Sequence, residues 1–559
     1  MKKNITLWLS TIVLVAGSCK ESFLEVTPQA QLAPSQLANL NGVENALIGS
    51  YTMLNGSRSG TWGTYGAAPS FWVWGEVAAD NAHKGSDPGD LPEYAAIETH
   101  NPISTNPGIA QLWQRRFEGV LRTNNTLKLL AASPDEVKNS ARGIEIAAEA
   151  RFLRAHYYFD LWKVFKYVPY VTEADADPSK VPNDDDILPK IQEDFEFAEA
   201  YLPVDKPLNQ AGRVNKKAAK AYLGKIYLYQ NKYAEALDLF NEVINSSPDL
   251  ETLDFRDNFD VAVRNGPESV FAVQHSVQDG TNGARGNVGD MLNAPFNPAL
   301  PVSCCGAFTP SFDLVNAYKV TEEGLPDFEN HHNSYFPSSF DENFQIPVDF
   351  RLDPRLDYTV GRQGIPYRDW GPMEGNSWVR NPGNSGPFLP YKNVTDASKL
   401  AANTEPAARN INNLNIHIIR LADVYLMAAE CLVHTDLNAA MNLVNKVRRR
   451  AANLPAKRIV VGGVERDAAN YSVGLYTSFP DKDFAMKAIQ WERRLELAME
   501  GHRFFDLRRW GILKSTLDEY AAYESQKLEY VAPIPKNDYF YPIPQTQIDN
   551  SNGVLKQKN

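Results

Sequence analysis

The chain has 559 residues, of which 43% are hydrophobic and 22% are charged, and its formal net charge is −12. This balance is typical of a globular protein and excludes a disordered chain, which would lack the apolar residues for a core. The acidic charge also argues against a nucleic-acid partner, because phosphates require a basic surface.

The first 18 residues predict a secretory signal peptide. Lys2 and Lys3 form a positively charged start, and residues 5–15 (ITLWLSTIVLV) form an apolar run. This run is shorter than the about 20 residues that a membrane-spanning helix needs, so it indicates a signal segment. No later apolar run in the sequence reaches that length.

Cys19 directly follows the small residues Ala16-Gly17-Ser18. This arrangement resembles the bacterial lipobox, in which the cysteine receives a lipid and becomes the mature N-terminus. Ala16 departs from the pattern, where a larger aliphatic residue is usual. We predict lipidation at Cys19 and a polar tether over 19–36; the alternative is a secretory signal followed by an incidental cysteine.

Helical periodicity dominates the first half of the mature chain. Apolar residues recur at steps of three and four from Leu37 to Leu54, and helical patterns follow at 109–132, 141–166 and 184–202. Residues 55–108 are instead rich in Gly, Pro, Trp and Tyr without a sustained period, which predicts loops.

Residues 213–248 match the pattern of a tetratricopeptide repeat, a pair of antiparallel helices. In this interpretation Gly224 and Ala236 allow the two helices to approach closely, while Tyr227 and Phe240 fill the seam between them. The usual leading Trp of the repeat is Lys220 here. The matching positions are Leu223, Gly224, Tyr227, Ala236, Phe240 and Pro248.

The second half mixes loops with further helices. Between about 252 and 415 helical periodicity is lost, Pro, Gly, Asn and aromatics are dense, and strand-like runs such as SVFAVQHSV appear. A related helix pair is expected from His417 to Ala451, and a final helix near 483–500 that stops at Gly501. We therefore predict a mainly α fold: a scaffold of tetratricopeptide-like helix pairs that carries large irregular loops with short strands.

Eight blocks along the chain, in order, resemble the SusD/RagB family, the starch-binding outer-membrane lipoproteins. Each block is weakly specific alone, but together they span essentially all of 19–559. The blocks are CKESFLEVTPQ (19–29), AEARFLRAHYYFDLWKVFKYVPYV (148–171), GRVNKKAAKAYLGKIYLY (212–229), DPRLDYTVG (353–361), IHIIRLADVYLMAAE (416–430), NLVNKVRRRAA (442–452), WERRLELAMEGHRFFDLRRWG (491–511) and YPIPQTQID (541–549).

The resemblance implies one SusD-like domain over 37–559. Its helical scaffold would lie mainly at 37–250 and 416–511, and its ligand-face loops mainly at 55–108 and 252–415. It also implies a lipoprotein on the extracellular side of the outer membrane that passes an oligosaccharide to a SusC-like TonB-dependent transporter, without a cofactor. Lys20 and Glu21 look like the family's surface-export signal. RagB-like members bind peptides, which is the main alternative for the cargo.

Sugars present apolar C–H faces and hydroxyls, so aromatic side chains beside Asp, Asn or Arg are candidate ligand residues. Two loop segments, 60–90 and 366–393, have this composition. Asn55 lies in the loop after the first predicted helix, where it would face the same pocket, and the family resemblance places the turn with Cys305 on the ligand face. For each aromatic residue, packing in the core is the alternative; Trp72 and Trp74 alternate on a strand-like run. The candidates are Asn55, Trp62, Tyr65, Trp74, Asp80, Asp87, Cys305, Trp370, Trp378 and Arg380.

Other features favour structural roles. Cys304 and Cys305 are adjacent, and because a bridge between neighbours is strained, two free thiols are expected. Cys431 on a helical pattern is expected to be buried, and the charges of 492–509 to form internal ion pairs.

No catalytic sequence motif is found, so no enzyme activity is expected. A glycoside hydrolase using Asp80 and Asp87 as its two carboxylates is the enzymatic alternative. The vicinal cysteines and the loop pattern resemble those of fructan-binding members of the family.

Overall fold

A computed structural model of the chain describes residues 34–56, 64–297, 300 and 302–558. Within this part of the chain, no helix is both long enough and apolar enough to cross a membrane. The predicted signal peptide, the predicted lipidation site Cys19 and most of the predicted tether lie outside the described residues.

The helices of the described part are, in chain order, α1 (Pro34–Leu37), α2 (Leu40–Tyr51), α3 (Pro92–Glu98), α4 (Pro107–Ala131), α5 (Asp135–Lys138), α6 (Ala141–Phe165), α7 (Leu188–Tyr201), α8 (Lys216–Tyr229), α9 (Tyr233–Asn245), α10 (Phe312–Ala317), α11 (Pro382–Ser385), α12 (Leu400–Asn403), α13 (Leu421–Leu432), α14 (Leu437–Ala452), α15 (Lys482–Leu497), α16 (Arg503–Arg509), α17 (Leu513–Glu524) and α18 (Gln545–Asn550).

The strands are β1 (Ala82–Lys84), β2 (Ser269–Val273), β3 (Phe308–Pro310), β4 (Arg351–Leu352), β5 (Val360–Gly361), β6 (Leu389–Pro390), β7 (Thr404–Glu405), β8 (Ala408–Asn412), β9 (Ile416–Arg420), β10 (Arg458–Val461), β11 (Val464–Asp467) and β12 (Asn470–Tyr471). They pair into two-stranded sheets only, within the described residues.

The long helices stack on one another in chain order. Helix α4 packs on α6, α6 on α7, α7 on α8, α8 on α9, α9 on α13 and α13 on α14. This arrangement confirms the predicted mainly α scaffold of tetratricopeptide-like helix pairs, and the predicted helices at 109–132, 141–166 and 184–202 correspond to α4, α6 and α7.

Small residues at the helix seams explain the close packing. A Cβ placed on Gly224 of α8 would lie 2.6 Å from Cε1 of Phe240 on α9, a distance that no side chain tolerates without displacement. Gly119 of α4 faces Tyr157 of α6 in the same way, again at 2.6 Å. The contact between Gly224 and Phe240 is the one that the repeat pattern predicts, and Ala236 is fully buried beside it.

Side-chain caps begin many of these helices. Asn106 and Ser140 accept backbone N–H hydrogen bonds at the starts of α4 and α6, and Asn215 and Asp436 do so for α8 and α14. Each cap satisfies a donor that has no partner within the helix, so the start of each helix is encoded locally.

The loops are held over the scaffold by pairing between distant segments. Strand β1 pairs antiparallel with β3, with Ala82 opposite Pro310, and β2 pairs antiparallel with β9. Residues of the 354–400 region form their own apolar cluster with Phe255 and Phe259, separate from the main core. The loop region is therefore an ordered layer with its own core.

A buried ionic network joins β9, α14 and α15 to the loop layer. Glu496 on α15 pairs with Arg420 and Arg450, and Arg355 pairs with Glu492 and Glu496, all of them buried. The pKa of Glu496 is far below its usual range because these arginines outweigh the effect of burial. The prediction that the charges of this region form internal ion pairs is confirmed.

Two local predictions are corrected by the structure, and a third is confirmed. The segment Trp72–Val77 is a π-helix, not a strand-like run, and it is wholly buried. The helix near 483–500 ends at Leu497, and α16, α17 and α18 follow it, so it is not the last helix. Cys431 is buried with a free thiol, as expected.

Candidate functional site

Pairing between β1 and β3 creates the first candidate surface. The ladder continues past β3, since Gly85 N–H donates to Ala307 O and Ser86 N–H donates to Gly306 O. The loop after β1 therefore lies beside the turn that carries Cys304 and Cys305. We call the surface around this turn the disulfide face; its residues are Asp87, Phe296, Cys304, Cys305, Arg380 and Asn381.

The two cysteines form a vicinal disulfide, which corrects the prediction of two free thiols. In the fold, hydrogen bonds to neighbouring backbone hold the turn in place. Cys304 N–H donates to Pro295 O, and Gly306 N–H donates to Ala294 O. Both half-buried cysteines pack on the main core, so the bridge presents a small, rigid apolar surface.

Arg380 is the polar centre of the disulfide face. Its Nε lies 2.8 Å from Asp87 Oδ2, and its Nη1 lies 3.3 Å from Asp90 Oδ2. Its guanidinium stands over the ring of Phe296, 5.3 Å from the centroid. The side chain of Arg380 remains 32% exposed. The pKa of Asp90 is lowered by a hydrogen bond from Ser86 and by Arg380.

Gly306, which directly follows the disulfide, lies close to Arg380. A Cβ placed on Gly306 would lie 3.7 Å from Phe296 Cβ and 3.9 Å from Arg380 Cβ. Asn381 adds an amide to the same surface, because its Nδ2 donates to Asp87 Oδ1 at 3.2 Å. The turn that carries the apolar disulfide thus lies beside a group of a guanidinium, a carboxylate and an amide, a combination that suits the hydroxyls and C–H faces of a sugar.

The two candidate tryptophans of the 366–393 segment pack in or against the second apolar cluster. Trp378 is 3% exposed in the second apolar cluster, edge-to-face with Tyr367, and its carbonyl accepts a hydrogen bond from Phe296 N–H. Trp370 is half-buried against the same cluster and donates from Nε1 to Thr395 O at 3.0 Å. The prediction of ligand contact by Trp378 is corrected, because burial leaves it no accessible face.

Trp74 and Asp80 lie in the core and are also corrected as ligand residues. Trp74 is buried, donates from Nε1 to Gly66 O and packs edge-to-face with Tyr541. Asp80 is buried between Arg503 and Arg494, with Oδ2 2.7 Å and 3.2 Å from their nitrogens. Because Asp80 is enclosed by arginines, it does not form an accessible carboxylate pair with Asp87.

The remaining candidates lie elsewhere. Trp62 lies outside the described residues. Tyr65 is half-buried, with its hydroxyl directed at Met291 Sδ, 3.9 Å away. Asn55 is not part of the disulfide face but lines a large cavity.

This cavity has a volume of about 1060 Å³ and lies where α2 ends, beside the end of β2 and the loop that follows it. Its size is at the upper end of the range for small-molecule sites, about 300–1,000 Å³. Its wall combines apolar residues such as Met53 and Val288 with Arg122, Arg213 and Arg285. We call it the α2 cavity.

The sequence did not predict Phe296 and Asn381 of the disulfide face, Asp90 beside Arg380, or the three arginines of the α2 cavity. No local pattern marks them, since Asp87 and Arg380 are brought together from 293 residues apart in the chain. The only indication in the sequence was that arginine and acidic residues occur in loop segments whose composition suits sugar binding.

Comparisons with known proteins match most of the chain. The sequence profile of the SusD family matches residues 267–559, more than half of the chain. A second profile, described as "Starch-binding associating with outer membrane", matches residues 23–228.

Two curated relatives come from Formosa agariphila. SusD-like protein P25 is 24% identical over 527 residues, which cover 91% of this chain and 90% of that protein. SusD-like protein P38 is 25% identical over 529 residues, which cover 91% of this chain and 92% of that protein.

Solved structures share the fold. Surface glycan-binding protein A from Bacteroides thetaiotaomicron in complex with laminarihexaose is 21% identical with a TM-score of 0.64, covering 92% of this chain and 99% of that chain. A SusD-like carbohydrate binding protein from Bacteroides fragilis is 22% identical with a TM-score of 0.68, covering 93% and 99%.

Proposed function

The chain belongs to the SusD family, and from this membership we propose that it is a surface lipoprotein that captures an oligosaccharide and delivers it to a SusC-like TonB-dependent transporter. The glycan-binding relatives named above support the class of ligand, and the description of the second profile supports association with the outer membrane. Anchoring through a lipid on Cys19 belongs to the same proposal.

The single observation that carries glycan capture is the composition of the disulfide face. Arg380 and Asp87 offer hydrogen-bond donors and acceptors that are only partly buried. The disulfide beside them offers an apolar surface against which the C–H face of a sugar ring packs. This pairing of a flat apolar contact with charged hydrogen-bonding groups is what sugar recognition requires.

In the proposed function the protein binds a glycan and does not cleave it. Glycoside hydrolysis needs two accessible carboxylates at a fixed separation. Asp80, one of the two carboxylates of the enzymatic alternative, is buried against Arg494 and Arg503. Incubation of the purified protein with any glycan that it binds should release no shorter product; hydrolysis at enzymatic rates would overturn this part of the proposal.

A glycan array followed by calorimetry tests the capture of sugar. We expect at least one oligosaccharide to bind, and Arg380→Ala to weaken its affinity about tenfold, roughly 1.4 kcal/mol, because charge-assisted hydrogen bonds are lost. Arg351→Ala is the matched control, since Arg351 is a half-exposed arginine paired with Glu322 away from this surface. Binding to peptides without binding to any glycan would contradict the proposal. So would an Arg380→Ala variant that binds the oligosaccharide with the same affinity as the parent protein.

The transporter partner is tested separately. Detergent extraction of native outer membranes, with a tag at the C-terminus of this chain, should co-purify a large barrel protein in a fixed ratio. Recovery of this chain alone would count against delivery to a SusC-like partner. A Cys19→Ala variant should lose membrane attachment, and retention of the variant in the membrane fraction would contradict the lipid anchor.

A further inference from the structure

The α2 cavity lies apart from the residues that define the disulfide face, and its polar wall has an unusual composition. Arg122, Arg213 and Arg285 line it, while none of the described lining residues is an aspartate or a glutamate. The whole chain, in contrast, carries a formal net charge of −12. A concave surface lined by one sign of charge concentrates ligands of the opposite sign.

Two of the three arginines are accessible to a ligand. Arg285 is 69% exposed, and its nearest carboxylate oxygen, Asp279 Oδ2, is 3.8 Å away, so this ion pair is loose. Arg122 is 40% exposed and is held by Glu118 and by the Oγ1 of Thr52. Arg213 is buried and paired with Glu44 and Glu149, so it serves to shape the wall.

Two residues of the cavity lining, Asn55 and His275, each carry a buried side-chain acceptor that lacks a partner within the described part of the chain, and because both atoms are covered they shape the wall rather than face a ligand. Asn55 donates from Nδ2 to Gly286 O, which leaves its Oδ1 without a donor. The Nδ1 of His275 lies 2.8 Å from Leu414 O and must donate to it, so Nε2 is an unprotonated acceptor without a donor. Burial lowers the pKa of His275 to about 4, which keeps the ring neutral at physiological pH.

A ligand that occupies this cavity meets the accessible guanidinium groups of Arg122 and Arg285, which favour negative charge. The wall also carries apolar residues such as Met53 and Val288 and amide side chains such as Gln210 and Gln274. A saccharide that bears an acidic group matches this wall, because its C–H faces and hydroxyls suit the apolar and amide groups and its charge suits the arginines.

We propose that the α2 cavity is a second ligand site and that it takes a negatively charged saccharide, one that bears carboxylate or sulfate groups. This inference rests on the proposed function, because it takes the ligand class to be a glycan. It adds a charge preference and a location that is distinct from the disulfide face.

The test uses matched pairs of probes that differ only in charge. Trigalacturonate is compared with its methyl ester, and a sulfated galactan tetrasaccharide with its desulfated counterpart, by calorimetry on the full folded chain. We expect the acidic member of at least one pair to bind at least tenfold more tightly. Raising NaCl from about 50 to about 500 mM should weaken that binding, because salt screens exposed charges.

Variants locate the binding site. Arg285→Gln and the charge reversal Arg285→Glu should each reduce the preference for the acidic probe, the reversal more strongly, while melting as the parent protein does because Arg285 is exposed. Arg458→Gln is the matched control, since Arg458 is a half-exposed arginine on β10 that pairs with Asp467. Equal binding of acidic and neutral probes, or a preference that survives both Arg285 variants, would overturn the inference.

Failure of this inference is distinguishable from failure of the proposed function. If neutral glycans bind in a manner that depends on Arg380 while no acidic probe is preferred, capture at the disulfide face stands and the α2 cavity is not a charged-saccharide site. If the acidic preference is lost in Arg380→Ala and kept in Arg285→Glu, the charged ligand occupies the disulfide face instead. If no saccharide of either kind binds, both proposals are wrong.

Discussion

Trp378 and Arg380 are two residues apart, yet they lie on different sides of the same loop. The backbone leaves the 3₁₀ helix Gly375–Trp378 in an extended conformation, so that the indole enters the second apolar cluster while the guanidinium reaches the surface. At the residue scale, composition alone marks both as candidates for sugar binding. Their burial differs in the structure: Trp378 lies in the core, and Arg380 lies at the surface.

Substitution should separate the two roles. Trp378→Ala removes a large buried side chain, so we expect the free energy of unfolding to fall by about 3–5 kcal/mol. Arg380→Ala removes a partly exposed surface ion pair, which contributes about 0–1 kcal/mol. Urea denaturation followed by tryptophan fluorescence and circular dichroism measures both. An equal loss of stability in the two variants would contradict the assignment of Trp378 to the interior and of Arg380 to the surface.

At the scale of elements, the helix pairs depend on the absence of a side chain at particular seam positions. Gly224 on α8 touches the ring of Phe240 on α9, whereas Gly49 on α2 has no atom within 4 Å of its would-be Cβ. The two glycines lie in helices of similar regularity but in opposite environments. The same substitution should therefore have opposite effects at the two positions.

Gly224→Ala should destabilise the protein by about 1–3 kcal/mol, because the added methyl group displaces Phe240 and strains the seam. Gly49→Ala should instead stabilise it by up to about 1 kcal/mol, since alanine is the better helix former and nothing obstructs it. Thermal and chemical denaturation of the two variants in parallel provide the comparison. A stabilising Gly224→Ala would show that the seam tolerates a wider separation of α8 and α9.

At the scale of the whole molecule, His83 ties together segments that are far apart in the chain. From β1, its Nδ1 lies 2.9 Å from Glu98 at the end of α3, and its Nε2 lies 2.8 Å from Glu524 on α17. Burial lowers the pKa of His83, but the hydrogen bonds and charges of the two glutamates outweigh burial and raise it to about 9. Tyr520 and Tyr530 also face the ring.

This raised pKa predicts a loss of stability at alkaline pH. The folded state holds the proton more tightly than the unfolded state, whose pKa is near 6.5, so the stabilisation is complete below about pH 6.5 and is lost as the pH rises through about 9. We expect the free energy of unfolding to fall by on the order of 3 kcal/mol over this window.

Chemical denaturation at several pH values measures this fall. In His83→Gln the fall should be absent or much smaller, because the titrating group is gone. His100→Gln is the control: His100 is also buried, but burial lowers its pKa, so the ring stays neutral throughout the window. A flat stability profile in the parent protein would contradict the charged state of His83.

Sequence alone determined what is local. Apolar periodicity placed α4, α6 and α7, the spacing of Gly224, Ala236 and Phe240 placed a helix pair, and ordered sequence blocks indicated the family. Each of these signals lies within a few turns of one helix or of neighbouring helices, where spacing along the chain dictates spacing in space.

Tertiary structure alone decided which polar and aromatic residues meet. Asp87 contacts Arg380 because β1 pairs with β3, and Asn55 and His275 line one cavity because α2 ends beside β2. Cys304 and Cys305 are bridged because hydrogen bonds to neighbouring backbone hold their turn. These contacts depend on pairing between segments that are far apart in the chain, and no local pattern encodes them. The sequence therefore predicted the scaffold but not the composition of the candidate ligand surfaces.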